Sequence, residues 1–173
     1  MIVIVMGVSG AGKTTVGRAL AARLGWPFAD ADDYHDGAAV AKMRRAEGLT
    51  DADRAPWLRR LRALVVVHLE SGRPMVLACS ALKARYRDAL ARAGEPVVFL
   101  WLDASRALLA DRLRRREGHF ARADLLASQL ADFEPPEGAV RLDAGTAPAA
   151  LVQSAVEVLA LDEGKAATSR KSR

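Results

Sequence analysis

Gly7-Val8-Ser9-Gly10-Ala11-Gly12-Lys13-Thr14 matches the pattern G-x-x-x-x-G-K-[ST], and its flanks decide what it can be. Before it runs an apolar, β-branched stretch, residues 2–6, that reads as a strand buried on both faces. After it, residues 14–24 read as a helix with Val16, Leu20 and Leu24 on one face and Gly25 at the C′ position. A glycine loop leading from a buried strand into a helix turns successive backbone N–H groups toward one concavity, where the helix dipole favours an anion. An ordinary glycine turn leaves Lys13 unexplained. In a phosphate cradle Lys13 reaches the β- and γ-phosphates of a nucleotide and the Thr14 hydroxyl ligates Mg²⁺. Gly7, Val8, Ser9, Gly10, Ala11, Gly12, Lys13, Thr14 and Thr15 are the expected nucleotide contacts.

The rest of the chain keeps alternating. Residues 27–29 lead to a short strand ending in Asp30, Asp32 and Asp33, and residues 38–47 are helical in pattern. Thr50-Asp51-Ala52-Asp53 resembles a capping box with Asp in place of Glu, and Pro56 falls in the first turn of the helix it opens. That helix carries Trp57, Leu61, Leu64, Val65 and Leu69, and Gly72 ends it. Further strands are predicted at 75–79, 97–102 and 140–142. Helices are predicted at 81–93, 106–116, from after Gly118-His119-Phe120 to about Phe133, and at 147–159. Such alternation specifies an α/β fold, a P-loop NTPase-type doubly wound parallel sheet of about five strands flanked by helices. Residues 1–162 form one domain, and 163–173 read as a disordered basic tail.

With 51% hydrophobic and 27% charged residues in 173, the chain is not intrinsically disordered. No apolar run approaches the roughly 20 residues that span a bilayer. Residues 1–6 lack the basic flank of a signal peptide, so a cytoplasmic protein is expected. The single cysteine, Cys79, excludes an internal disulfide and a cysteine-based zinc site, and as a strand-end thiol it reads as inert packing. The +5 charge raises nucleic acid as a partner. Yet the basic residues are scattered, dense only at Arg114-Arg115-Arg116 and in the tail, so solvated helix faces and small anionic substrates are favoured over nucleic acid.

The loop alone does not separate a kinase from a GTPase switch or a motor. Asp30-Ala31-Asp32 points to a small-molecule kinase, because a carboxylate beside the γ-phosphate can hold Mg²⁺ through water or accept the proton of an attacking hydroxyl. At i and i+2 on a strand end, both carboxylates point the same way and can divide those tasks.

Beyond the loop, Asp30-Ala31-Asp32-Asp33-Tyr34-His35, Lys42-Met43, residues 49–58 (Leu49 through Leu58), Cys79-Ser80-Ala81-Leu82-Lys83, Tyr86-Arg87-Asp88, Gly118-His119-Phe120 and Ser128-Gln129 fall in order. Together, over about residues 2–160, they resemble the gluconokinase family, which makes 6-phosphogluconate from gluconate and ATP. The resemblance implies ATP and Mg²⁺, D-gluconate phosphorylated at C6, a homodimer, and adenine near residues 143–148. Shikimate kinase, the nearest alternative, is expected to have a glycine triplet where this chain has Cys79-Ser80-Ala81. An alternative outside enzymes is a nucleotide-binding module with its basic tail on RNA. The chain departs from the family pattern at Asp36, where Pro is frequent, at Ala39, where Asn is usual, and at Asp132-Phe133-Glu134 in place of Thr-Leu-Glu.

The expected roles follow. Thr14 and Asp30 hold Mg²⁺, and Asp32 is the base. Lys13, Arg112 and Arg116 stabilise phosphoryl charge, the two arginines lying four apart on a mobile lid of about residues 112–125 that resembles those of small kinases and excludes water. His35, Arg54, Ser80, Lys83, Arg87 and His119 are substrate candidates alongside Asp32. Either Arg54 or Lys83 holds the carboxylate; otherwise Arg54 is a surface arginine paired with Asp51 or Asp53. His119 either lies over substrate or caps the lid helix.

Overall fold

The computed structural model describes residues 1–45, 47–114 and 126–171. Five strands, β1 (Ile2–Met6), β2 (Phe28–Asp30), β3 (Met75–Ala78), β4 (Val97–Asp103) and β5 (Val140–Asp143), form one sheet in the order β2-β3-β1-β4-β5. Every pairing is parallel. The helices are α1 (Lys13–Leu24), α2 (Gly37–Arg44), α3 (Asp51–Glu70), α4 (Ala84–Leu90), α5 (Arg106–Arg114), α6 (126–131) and α7 (Pro148–Lys171).

The two-residue period of β1 explains why the sheet is covered on both sides. Val3 and Val5 pack with Val16 and Leu20 of α1, Leu109 of α5 and Leu151 of α7. Ile2, Ile4 and Met6 face the other way, onto Trp57, Leu61 and Val65 of α3 and Leu90 of α4. All five β1 side chains are fully buried, so the strand carries no polar residue. The doubly wound parallel sheet expected from the alternation is the observed fold. Among the described residues no helix is long and apolar enough to cross a membrane.

Local differences have local causes. Residue 32 is not on a strand: β2 stops at Asp30, whose side chain accepts the Asp32 N–H (3.2 Å) and caps a 3₁₀ turn over Ala31–Tyr34. Helix α2 begins at Gly37 because Asp36 caps it, its carboxylate accepting from the Ala39 N–H at 2.8 Å, and it ends at Arg44 rather than 47. The Thr50/Asp53 capping box is present at the start of α3. Helix α4 is much shorter than 81–93: Ala81 adopts a left-handed φ of +44°, Lys83 takes the cap position, and Ala91 is already extended. Helix α7 continues to Lys171, past the expected end at Leu159, through residues rich in good helix formers. The lid beyond Arg114 lies outside the described residues.

Candidate active site

The phosphate loop depends on its glycines. Gly7 (φ +143°), Gly10 (φ +86°) and Gly12 (φ +102°) occupy conformations that L side chains avoid. A Cβ on Gly7 would also meet the Leu102 carbonyl oxygen at 2.9 Å, so the loop is seated against β4. Lys13 Nζ donates to the Val8 carbonyl at 3.2 Å, which aims the ammonium along the Val8–Ser9 end of the cradle. At the other end the α1 N-terminus opens with Lys13, Thr14 and Thr15.

Thr14 Oγ1 donates to Asp30 Oδ2 at 2.7 Å, so the two residues expected to hold the metal are already in contact. Among the described residues no group of three or more His, Cys, Asp or Glu could hold a metal ion. One hydroxyl and one carboxylate beside a phosphate cradle suit Mg²⁺, which takes few protein ligands and completes its shell with phosphate and water. Asp32 lies on the next turn, accessible at the cleft. Desolvation by the surrounding protein, then the Asp30 carboxylate, push its pKa up, against the pull of Lys13 and His35.

The His35 ring stacks on Trp57, centroids 4.7 Å apart and planes within 5°. Trp57 is buried in the core, and its Nε1 donates to the Ala31 carbonyl at 2.7 Å, tying the turn that carries Asp32 to α3. Burial lowers the His35 pKa, more than the Asp32 charge raises it, and its Nδ1 is buried without a hydrogen-bond partner. That enclosed nitrogen is a local cost of the stacked ring rather than an open ligand contact.

Arg54 is not paired with Asp51 or Asp53. Lys42 holds Asp53, at 2.7 and 2.9 Å, and Asp51 is taken by Arg85 (2.6 Å) and by the Tyr86 hydroxyl, which donates to it in a short hydrogen bond. Arg54 instead donates to Tyr86 Oη at 3.2 Å and, among the described residues, has no carboxylate partner. Lys83 does have one: its ammonium sits 3.0 Å from Asp132. Arg87 donates to the Ala81 and Leu82 carbonyls (3.0 and 3.1 Å), so it props the loop after β3. Ser80 lies in that loop and accepts the Gly7 N–H at its carbonyl, 3.4 Å. The departure at Asp132 is used locally, pairing with Lys83, while Glu134, which keeps the family's Glu, accepts the Ala84 N–H at 2.6 Å.

The Arg112 guanidinium donates to the Gly10, Ala11 and Ala144 carbonyls at 3.2, 3.0 and 2.7 Å. It forms one wall of a cavity of about 300 Å³ also lined by Gly12, Thr15, Ala144, Thr146 and Pro148, the loop where adenine is expected. Arg116 and His119 lie outside the described residues. Cys79 is buried and its thiol pushed up to about 12 by that burial, which leaves it inert. Sequence reasoning assigned no role to Gln129, whose Oε1 accepts the Ser9 N–H at 2.6 Å; its only signal was its place in the Ser128-Gln129 motif.

An all-parallel sheet with a glycine-cradled lysine, a threonine–aspartate pair and a base-sized side pocket defines a P-loop kinase. A family model described as an AAA domain matches residues 2–136. A gluconokinase of Gluconobacter oxydans is 52% identical over 133 residues, covering 77% of this chain and 75% of that protein. The thermosensitive gluconokinase of Escherichia coli K12 is 41% identical over 134 residues, covering 78% and 72%. The crystal structure of a gluconokinase from Sinorhizobium meliloti superposes with a TM-score of 0.84 at 38% identity, over 96% of this chain and 95% of that one. The chain belongs to the gluconokinase family of P-loop kinases.

Proposed function

We infer that this protein transfers the γ-phosphoryl group of ATP to the C6 hydroxyl of D-gluconate, giving ADP and 6-phospho-D-gluconate. The observation that carries the reading is the split acid pair at the loop: Asp30 is engaged by Thr14 at the metal position, while Asp32, with its raised pKa, remains available. In the reaction the C6 oxygen bonds to the γ-phosphorus, the bond from that phosphorus to the β-bridging oxygen breaks, and Asp32 takes the hydroxyl proton. Lys13 and the loop N–H groups hold the phosphates in line. Mg²⁺ held by Thr14 and Asp30 would neutralise charge on the β- and γ-phosphates.

Gluconate offers a carboxylate at the far end of a polyol chain. Arg54, charged and without a carboxylate partner among the described residues, is the better candidate to clamp it; Lys83 is already neutralised by Asp132. His35 keeps its place as a substrate candidate from the family resemblance, and contact with a substrate hydroxyl at the enclosed Nδ1 requires the ring to turn off Trp57. Ser80 lines the same loop, and Arg87 supports it through its carbonyls. Arg116 and His119 keep their lid roles from the family resemblance, as do the homodimer and the cytoplasmic location; Arg112, held by the Gly10, Ala11 and Ala144 carbonyls, serves instead as a wall of the nucleotide pocket. Shikimate kinase shares the phosphate loop, but the turn after β3 is Cys79-Ser80-Ala81 rather than a glycine triplet. A coupled ADP-release assay over a panel of sugar acids and shikimate tests the reading. Stimulation by gluconate alone is expected, and stimulation by shikimate without gluconate would overturn it.

A further inference from the structure

Gln129 sits on α6, and the segment it belongs to touches both halves of the site. Asp132 pairs with Lys83, the Glu134 N–H donates to the Leu82 carbonyl at 2.9 Å, and Phe133 packs on Trp101 of β4. Across the sheet end, Gln129 Oε1 accepts the Ser9 N–H at 2.6 Å, joining residues 120 positions apart. Ser9 adjoins Val8, whose carbonyl receives Lys13 Nζ. Since Lys13 serves the β- and γ-phosphates and the α1 N-terminus faces the earlier ones, the Gln129 carboxamide stands at the γ-phosphate end of the cradle. A carboxamide has two faces: Oε1 is spent on Ser9, which leaves both Nε2 hydrogens as donors. Among the described residues Nε2 has no partner.

We propose that Gln129 is a further catalytic residue: anchored through Oε1 on the Ser9 N–H, it donates from Nε2 to the oxygens of the phosphoryl group in transfer. This rests on the phosphotransfer reading. Charge spreads over the equatorial oxygens as the γ-phosphoryl detaches, so a fixed neutral donor there stabilises the transition state more than the ground state. Its anchor makes it preorganised, which is the condition for a large effect.

Gln129→Glu keeps an oxygen for the Ser9 N–H but removes the donors and adds charge; Gln129→Ala removes both. Each variant is expected to lose about 10²-fold in kcat, the usual effect of deleting one donor to developing charge, with ADP affinity within about threefold of wild type. Near-normal kcat in Gln129→Glu would reduce the residue to a loop prop and overturn the proposal. So would a loss of ADP affinity in step with kcat. A measurement on the unaltered protein covers the case in which both variants misfold. The Gln129 side-chain ¹⁵N–¹H resonances should shift on adding a non-hydrolysable ATP analogue but not ADP, and equal shifts with both would contradict the assignment. Wild-type turnover of gluconate, run alongside, reads the underlying function separately.

Discussion

Replacing Arg54 by Met keeps most of the side-chain bulk and removes the charge, and its effect is calculable because the neighbours are accounted for. Asp53 is saturated by Lys42 and Thr50, and Asp51 by Arg85 and Tyr86, so neither acid is left newly unpaired by the change. The lost protein contacts are one hydrogen bond to Tyr86 Oη at 3.2 Å and the guanidinium's place over the Tyr86 ring, 5.8 Å from its centroid. What remains to lose is the clamp on the substrate carboxylate. A hydrogen bond to a charged partner contributes about 1.5–3 kcal/mol, and the half-buried position argues for the lower part of that range. That corresponds to roughly a 10- to 40-fold rise in KM for gluconate. The carboxylate lies at the opposite end of the molecule from C6, so ground state and transition state lose equally and kcat should change little. Steady-state assays with gluconate and with its neutral amide separate charge recognition from general damage: the preference for the acid should collapse in Arg54→Met. Lys83→Met should change the gluconate KM less, because Asp132 already neutralises that ammonium. A gluconate KM within threefold of wild type in Arg54→Met, or a larger effect in Lys83→Met, would refute the reasoning.

Tyr86→Phe removes the hydroxyl that bridges Arg54 and Asp51, so gluconate KM should rise several-fold while ATP KM stays constant. Asp32→Asn should lose 10²–10⁴-fold in kcat and still bind ATP. The pKa of Asp32 is raised, so ionising it costs folding energy above the unfolded value near 3.8. The same variant should therefore melt slightly higher at pH 7, a gain that vanishes in melting curves recorded below about pH 4. Glu95 is held at about 2 by the Arg62 guanidinium, which grips it at 2.5 and 2.6 Å. Its contribution is present above the ordinary Glu pKa near 4.3 and lost as pH falls toward 2, so Glu95→Gln should lower the melting temperature at pH 7 and not at pH 2. Gly7→Ala forces a Cβ to 2.9 Å from the Leu102 carbonyl at a φ of +143°, and should destabilise by more than about 1 kcal/mol and abolish ATP binding, read by calorimetry.

What the sequence made legible was what local chemistry determines. The strand–loop–helix at residues 2–24 declares itself through an apolar run, obligatory glycines and one lysine. The Thr50/Asp53 box and Pro56 announce α3 in the same way. The helix at 84–90 was overestimated because the Ala, Leu and Arg residues of 81–93 repeat with helical period, while Ala81 turns left-handed and Arg87 is drawn onto two loop carbonyls. Asp32 was assigned to a strand end because i, i+2 spacing suits one; the Asp30 carboxylate capping the Asp32 N–H makes a 3₁₀ turn instead. The contacts that separate Arg54 from Lys83 join Arg54 to Tyr86 and Lys83 to Asp132, and no local pattern carries that information. Gln129 is the extreme case, because its role depends on a partner 120 residues away.

The most direct measurement of the central claim is the ³¹P spectrum of the product formed from ATP and gluconate by the purified protein. A phosphate ester at C6 couples to two methylene protons, so a single new monoester resonance split as a triplet is expected, appearing together with ADP and growing about 10²–10⁴-fold more slowly with Asp32→Asn. A doublet, reporting phosphate on a secondary carbon, or release of inorganic phosphate without a new ester would contradict the account.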